Sequence, residues 1–273
     1  MTNQDIEETI LILTSWFKKI KKCTIATSGG IDSMLLAYIA HNTLGQNALI
    51  AHSTSLSVPT LDAKRVRNYA QKYRWHIEFI KAGELDNESY QNNPVNRCYY
   101  CKSCLFDRLK KLHHGVLITG TNQDDLGDYR PGLIAAKEQN VRQPYVELKI
   151  DKIMIRKMVE HLQLNDLKDI PASPCLSSRI ETGIKIYPDY LQAVDHVENF
   201  VRSELKTDLV RFRIRNDKVE LELEPLLFNQ LSDHQKDSLV NKIKLIIEPL
   251  AISHNVQIST YKKGSAFIGV KNI

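Results

Sequence analysis

Apolar residues at Ile6, Ile10, Leu11, Leu13, Trp16, Phe17 and Ile20 recur at helical spacing, which predicts an amphipathic helix over 6–20. The pattern then tightens. Residues 24–27 form a β-prone run ended by Ser28 and two glycines, and 34–40 turns helical again. Further strands are predicted over 48–52, 77–80 and 115–119, with helices over 60–73, 101–112 and 152–162. Strands alternating with helices imply parallel crossovers, hence an α/β fold on a doubly wound, mainly parallel sheet. Ligands in such sheets sit at the carboxyl ends of the strands.

After 171–183 the texture changes. A helix is predicted over 189–205. Apolar residues alternate with basic ones over 209–215 and with acidic ones over 218–224, and 215–218 reads as the turn of a hairpin. A mostly helical stretch over 226–247 and a strand over 256–261 complete a small α+β domain. The expected division is 1–184 and 185–273.

The segment between the first strand and the second helix carries the strongest chemical signal: Ser28-Gly29-Gly30-Ile31-Asp32-Ser33. Glycines admit positive φ and close approach of a ligand to the backbone, exposing successive N–H groups. The helix that follows adds unpaired N-terminal donors and its positive dipole end. With hydroxyls from Ser28 and Ser33, the loop is expected to hold phosphate or pyrophosphate. The alternative is a tight serine-capped turn. No Gly-Lys-Ser/Thr follows, so this is not a Walker A loop.

The net charge of +5 over 273 residues suits anionic small substrates and is too weak to argue for nucleic acid. No run is apolar enough to span a membrane, and residues 1–8 are polar and acidic, so a cytoplasmic location is expected. The odd count of five cysteines (Cys23, Cys98, Cys101, Cys104 and Cys175) argues against a disulfide framework. Cys98 and Cys101 form a C-x-x-C whose thiolates can reach one metal or cluster edge, with Cys104 or Cys175 needed as a third ligand. Zinc would need a fourth, for which His113 and His114 are only loosely spaced. Cys175 lies among Pro171, Pro174, Ser173, Ser177, Ser178 and Arg179, a context that predicts an exposed loop and a thiolate favoured by the guanidinium. Cys23 reads as a small buried hydrophobe.

Two further clusters stay open between chemistry and structure. Thr121, Asn122, Asp124, Asp125 and Asp128 follow a strand directly and could face Mg²⁺ or a ribose, or form a solvated turn. Arg211 and Arg213 point to one face of a strand and could hold phosphate or carboxylate, or pair across the hairpin with Glu220, Glu222 and Glu224.

Ser28–Ser33 resembles the pyrophosphate loop of the N-type ATP pyrophosphatases, which split ATP between the α and β phosphates, adenylate a substrate oxygen and let a nucleophile displace AMP. Three more segments narrow the likeness: 93–102 with Arg97-Cys98-Tyr99-Tyr100-Cys101-Lys102, 120–133 with Asp128-Tyr129-Arg130-Pro131-Gly132-Leu133, and 172–180 with Pro174-Cys175-Leu176-Ser177-Ser178-Arg179. In order and content these resemble the LarE family, ATP-dependent sulfur transferases of nickel-pincer nucleotide cofactor biosynthesis, over most of residues 20 to 185. The likeness fades after about 215, and Tyr261-Lys262-Lys263-Gly264-Ser265 has lysine where the family has a Tyr-Arg-x-Gly-Ser pattern.

The resemblance implies an adenine nucleotide alpha hydrolase-like sheet and adenylation of pyridinium-3,5-biscarboxylic acid mononucleotide, followed by sulfur insertion. It implies ATP contacts from Ser28, Gly29, Gly30, Ile31, Asp32, Ser33, Gly120 and Thr121, with Asp32 helping to hold Mg²⁺. Substrate phosphate and carboxylates fall to Lys102, Ser178, Arg179, Arg211 and Arg213. Cys98, Cys101 and Cys175 match the members that hold a [4Fe-4S] cluster and transfer a sulfide from its open iron, so Cys175 and Asp32 are the expected catalytic residues. A homo-oligomer and a sulfur-supplying partner are also expected. A tRNA-thiolating enzyme, an ammonia-using ligase and a non-catalytic ATP sensor are the rival readings.

Overall fold

The computed structural model describes residues 2–266 other than 128, 129, 251, 253, 254 and 263. In chain order the first helices and strands are α1 (Asn3–Ile20), β1 (Cys23–Ala26), α2 (Ile31–Leu44), β2 (Ala48–Ser53), α3 (Thr60–Tyr73), β3 (Ile77–Ile80), α4 (Glu88–Gln91), α5 (Arg97–Lys110), β4 (Val116–Thr119), α6 (Pro131–Glu138), α7 (Pro144–Glu147), α8 (Lys152–His161) and α9 (Asn165–Lys168). Then follow α10 (Pro188–Leu205), β5 (Val210–Ile214), β6 (Lys218–Leu223), α11 (Pro225–Gln230), α12 (Asp233–Ile247) and β7 (Asn255–Thr260).

Strands β3-β2-β1-β4 form one all-parallel sheet. Its central strands read as continuous apolar runs because both faces are covered. Ile25, Ile50 and Ile118 join Leu13, Phe17, Leu35, Ile155 and Val159 from α1, α2 and α8 in one core. Ala51, Ile80 and Leu117 join Phe106, Leu109, Ala135 and Ala136 from α5 and α6 in another. The sheet is therefore doubly wound, and the register aligns the ends of β1, β2 and β4 at one edge.

Two compact units divide the chain: Met1–Glu84 with Cys98–Ser173, and Leu85–Arg97 with Pro174–Ile273. The sequence boundary at 184/185 follows a change of texture, whereas the spatial grouping follows hydrogen bonds. Asn93 Nδ2 donates to the carbonyls of Ile180, Glu181 and Ile184 at 3.3, 2.8 and 3.0 Å. Ile186 N–H donates to Gln91 O at 2.7 Å. These bonds tie 85–97 and 174–186 together within the second unit. Its sheet runs β5-β6-β7, with β5 and β6 the expected antiparallel hairpin and β7 parallel to β6.

Local details differ from expectation. The helix predicted from 101 begins at Arg97, just after Pro94, whose carbonyl accepts the Arg97 N–H at 2.9 Å. The mostly helical stretch over 226–247 consists of two helices separated at Leu231-Ser232, where the Ser232 hydroxyl caps α12 in a capping box with Gln235. Helix α6 was not anticipated from the sequence. Its signal was Pro131 at the first helical turn.

Candidate functional site

The loop after β1 is held by its own hydroxyls. Ser28 N–H donates to Ser33 Oγ at 3.1 Å, Gly30 N–H donates to Ser28 Oγ at 3.3 Å, and the two hydroxyls lie 3.1 Å apart. Gly29 has φ +95°, and a Cβ there would meet the Asp62 Cβ and carbonyl at 2.8 Å. Both facts demand glycine. Gly30 is the N-cap of α2, which puts Asp32 and Ser33 in that helix's first turn. At Gly120 a Cβ would lie 2.9 Å from the Ser33 N and Cα, so the chain leaving β4 runs against the same turn. Helix N-terminal donors, two serine hydroxyls and close-approaching glycines thus gather at one edge of the sheet, an arrangement suited to an anion. Thr121 sits beside it, its hydroxyl 3.3 Å from Thr119 Oγ1.

Three residues that sequence reasoning missed, Lys152, Asp62 and Arg65, complete this region. Lys152 Nζ is ion-paired with Asp32 Oδ2, and Asn122 Nδ2 donates to Asp32 Oδ1 at 3.3 Å. Arg65 Nη1 donates both to Gly29 O and to Asp62 Oδ1 at 2.6 Å. Lys152 carries no local signal, since it is 120 residues from Asp32 in sequence; Asp62 and Arg65 looked like the polar face of a helix. In the aspartate loop, Asp124 accepts Lys152 N–H at 2.8 Å and Asp125 accepts Asn122 N–H at 3.0 Å while pairing with Arg130 at 2.9 Å. Those carboxylates brace the loop. Asp128 lies outside the described residues.

In the second unit, Arg179 is bidentate to Glu198, at 2.9 and 3.0 Å, and donates to the carbonyls of Pro174 and Cys175. Arg202 joins the same glutamate at 2.8 Å. Burial works to raise the Glu198 pKa, but Arg179, Arg202 and Arg211 outweigh it and the carboxyl sits below its ordinary value. Arg211 is lowered to about 10 by its own burial and by Arg179. Arg213 pairs with Glu222 at 3.0 Å and donates to Ser178 O at 3.0 Å. The alternating hairpin pattern is real, yet its charged face is buried, because opposite charges face each other across the register: Arg211 opposite Glu222, Arg213 opposite Glu220.

The expected exposed loop around Cys175 is exposed only over 171–174. Leu176–Arg179 forms a buried turn, held by a bond between Tyr90 Oη and Ser177 Oγ at 2.5 Å. Cys175 itself is half-buried, Cys98 is exposed, and Cys101 and Cys104 are half-buried. On α5, Cys98 and Cys101 stand one helical turn apart, as do Cys101 and Cys104. Lys102 follows on the same helix, its ammonium 5.9 Å from the Phe106 ring. Cys23 is fully buried and its thiol pKa is pushed up to about 12 by desolvation. Among the described residues no three His, Cys, Asp or Glu side chains are grouped to hold a metal ion. Among the described residues, no helix is long and apolar enough to cross a membrane.

No family model matches the chain. An uncharacterized protein of Synechocystis sp. is 38% identical over 224 residues, covering 81% of this chain and 83% of the relative. An uncharacterized protein of Methanocaldococcus jannaschii is 30% identical over 83% of this chain and 86% of its own length. The pyridinium-3,5-bisthiocarboxylic acid mononucleotide synthase of Lactiplantibacillus plantarum is 29% identical over 240 residues, again 83% of this chain and 86% of the relative. These alignments cover far more than the phosphate-loop region, and with the motifs around Cys98 and Cys175 they place this chain in the LarE family.

Proposed function

We propose that the chain is an ATP-dependent sulfur transferase that adenylates a carboxylate of pyridinium-3,5-biscarboxylic acid mononucleotide and converts it to a thiocarboxylate. The observation that carries this reading is the Ser28–Ser33 loop at the sheet edge, with Asp32 in the first turn of α2 paired to Lys152 at the start of α8. The named synthase among its relatives supplies the acceptor.

In the first step a carboxylate oxygen attacks the α-phosphorus of ATP, and the bond to the β-phosphate's bridging oxygen breaks. Pyrophosphate leaves into the donors of Ser28, Gly30 and Ser33. Lys152 offsets the charge that gathers there. Asp32 would hold a magnesium ion arriving with the triphosphate, since such an ion needs only one or two protein carboxylates, and the ion would supply neutralisation of phosphate charge. In the second step a thiolate sulfur attacks the acyl carbon and AMP leaves. The sulfur holders are Cys98, Cys101 and Cys175. If Cys175 gives its own sulfur, loss of its α-proton and cleavage of Cβ–Sγ leave dehydroalanine in the chain and sulfur on the product. Lys102, Ser178, Arg179, Arg211 and Arg213 are assigned to the acceptor's phosphate and carboxylates. Arg211, buried and beside Arg179, is a guanidinium that an anion would relieve.

The test is incubation with ATP, Mg²⁺ and the biscarboxylate nucleotide, following AMP, pyrophosphate and product mass. Equal release of AMP and pyrophosphate with replacement of oxygen by sulfur is expected. Release of ADP and phosphate overturns the reading. Iron and acid-labile sulfide analysis after anaerobic purification separates cluster-borne sulfide from a cysteine's own sulfur.

A further inference from the structure

Thr27 joins the end of β1 to the loop. Its N–H donates to Ala51 O at 2.8 Å, extending the ladder with β2 by one residue. Its carbonyl lies 2.8 Å from Nδ1 of His52, the next residue of β2. A carbonyl only accepts, so this bond places the ring proton on Nδ1. Nε2 is then an acceptor, and it is buried with no hydrogen-bond partner among the described residues. The ring is 1% exposed and meets Phe79 edge-on at 6.1 Å, with the Arg67 guanidinium 4.5 Å from the same phenyl ring. Desolvation lowers the His52 pKa and outweighs the Thr27 bond, which keeps the imidazole neutral near pH 7.

The Thr27 C=O and the Ser28 N–H belong to one rigid trans peptide unit and point in opposite directions. Holding the oxygen at His52 therefore aims the hydrogen the other way, where it donates to Ser33 Oγ at 3.1 Å. Ser33 Oγ meets Ser28 Oγ, and Ser28 Oγ accepts from Gly30 N–H. A bond from the neighbouring strand thus orients the first amide in the chain of loop contacts. A leucine would fill the same space without making that bond.

We infer that His52 is a positioning residue of the phosphate loop: its Nδ1–H fixes the Thr27–Ser28 peptide plane, and with it the Ser28 and Ser33 donors that pyrophosphate meets. The inference rests on the reading of Ser28–Ser33 as the site for the ATP phosphates. Asparagine at 52 can put an amide N–H where Nδ1 stands, whereas the longer glutamine carries its amide toward the Nε2 position.

Calorimetric titration of the full chain with magnesium pyrophosphate tests this. His52→Leu and His52→Gln are expected to bind about tenfold more weakly, the loss of one buried hydrogen bond. His52→Asn should stay within about threefold of the parent, and KM for ATP should follow the same order with kcat changing less. Equal affinity of all four proteins, or an asparagine variant as weak as the leucine one, overturns the inference. If His52→Leu fails to fold, the comparison of asparagine with glutamine at matched thermal midpoints carries the test, and equal binding of those two overturns it. A parent that binds neither pyrophosphate nor ATP overturns the phosphate-site reading itself; a parent that binds, with variants level, overturns only the role of His52.

Discussion

Asp32 and Lys152 are one-quarter to one-third exposed at their side chains, so their pairing contributes at most about 1 kcal/mol to folding. Under the proposed function their weight lies in chemistry. Asp32→Ala should reduce AMP and pyrophosphate formation by at least about 100-fold, while circular dichroism and the urea midpoint stay near those of the parent. Wild-type turnover would remove Asp32 from the mechanism. Cys175 makes the complementary case. Its thiol is half-buried at the start of a buried turn. Cys175→Ala should still exchange labelled pyrophosphate into ATP in the presence of the acceptor, yet form no thiocarboxylate. Equal loss of both activities would make the residue structural.

Among the elements, the segment after Cys175 and the strand β5 are coupled through Glu198 on α10. That carboxylate is fully buried and accepts from Arg179, Arg202 and the Phe212 N–H. Removing the charge from such a group leaves buried guanidiniums uncompensated, which costs about 3–5 kcal/mol. Glu198→Gln should therefore lower the urea midpoint of the second unit strongly. The folded pKa is depressed, so the contribution is complete above the ordinary value of 4.5 and is lost as pH falls through the folded one. Stability of the parent should drop as the medium is acidified below about 4.5. The glutamine variant should lack that component of the pH dependence, which denaturation series at several pH values would measure.

Across the whole molecule, the second unit is discontinuous in sequence: Leu85–Arg97 belongs with Pro174–Ile273. Asn93, with φ +50° and no exposure, holds the 180–184 stretch, and Tyr90 holds Ser177. A fragment of 174–273 alone should therefore fail to give a dispersed amide NMR spectrum, and adding a peptide of 85–97 should restore order. A well-dispersed spectrum without the peptide would contradict this division. Much of the fold was legible in the chain itself. Apolar periodicity marks β1 to β4 and helices α2, α3 and α5 between them, and the two consecutive glycines mark the turn where the sheet presents its carboxyl edge, because these depend on neighbours in sequence. The hairpin β5–β6 was legible for the same reason. Tertiary structure alone decided that Lys152 and Asn122 face Asp32, that Asp62 closes on Gly29, that Asn93 belongs with the second unit, and that the arginine face of β5 is buried against glutamates. Each of these is a contact between residues far apart in the chain, whose partners are chosen by packing and charge compensation, and no local pattern of apolar and polar positions encodes that choice.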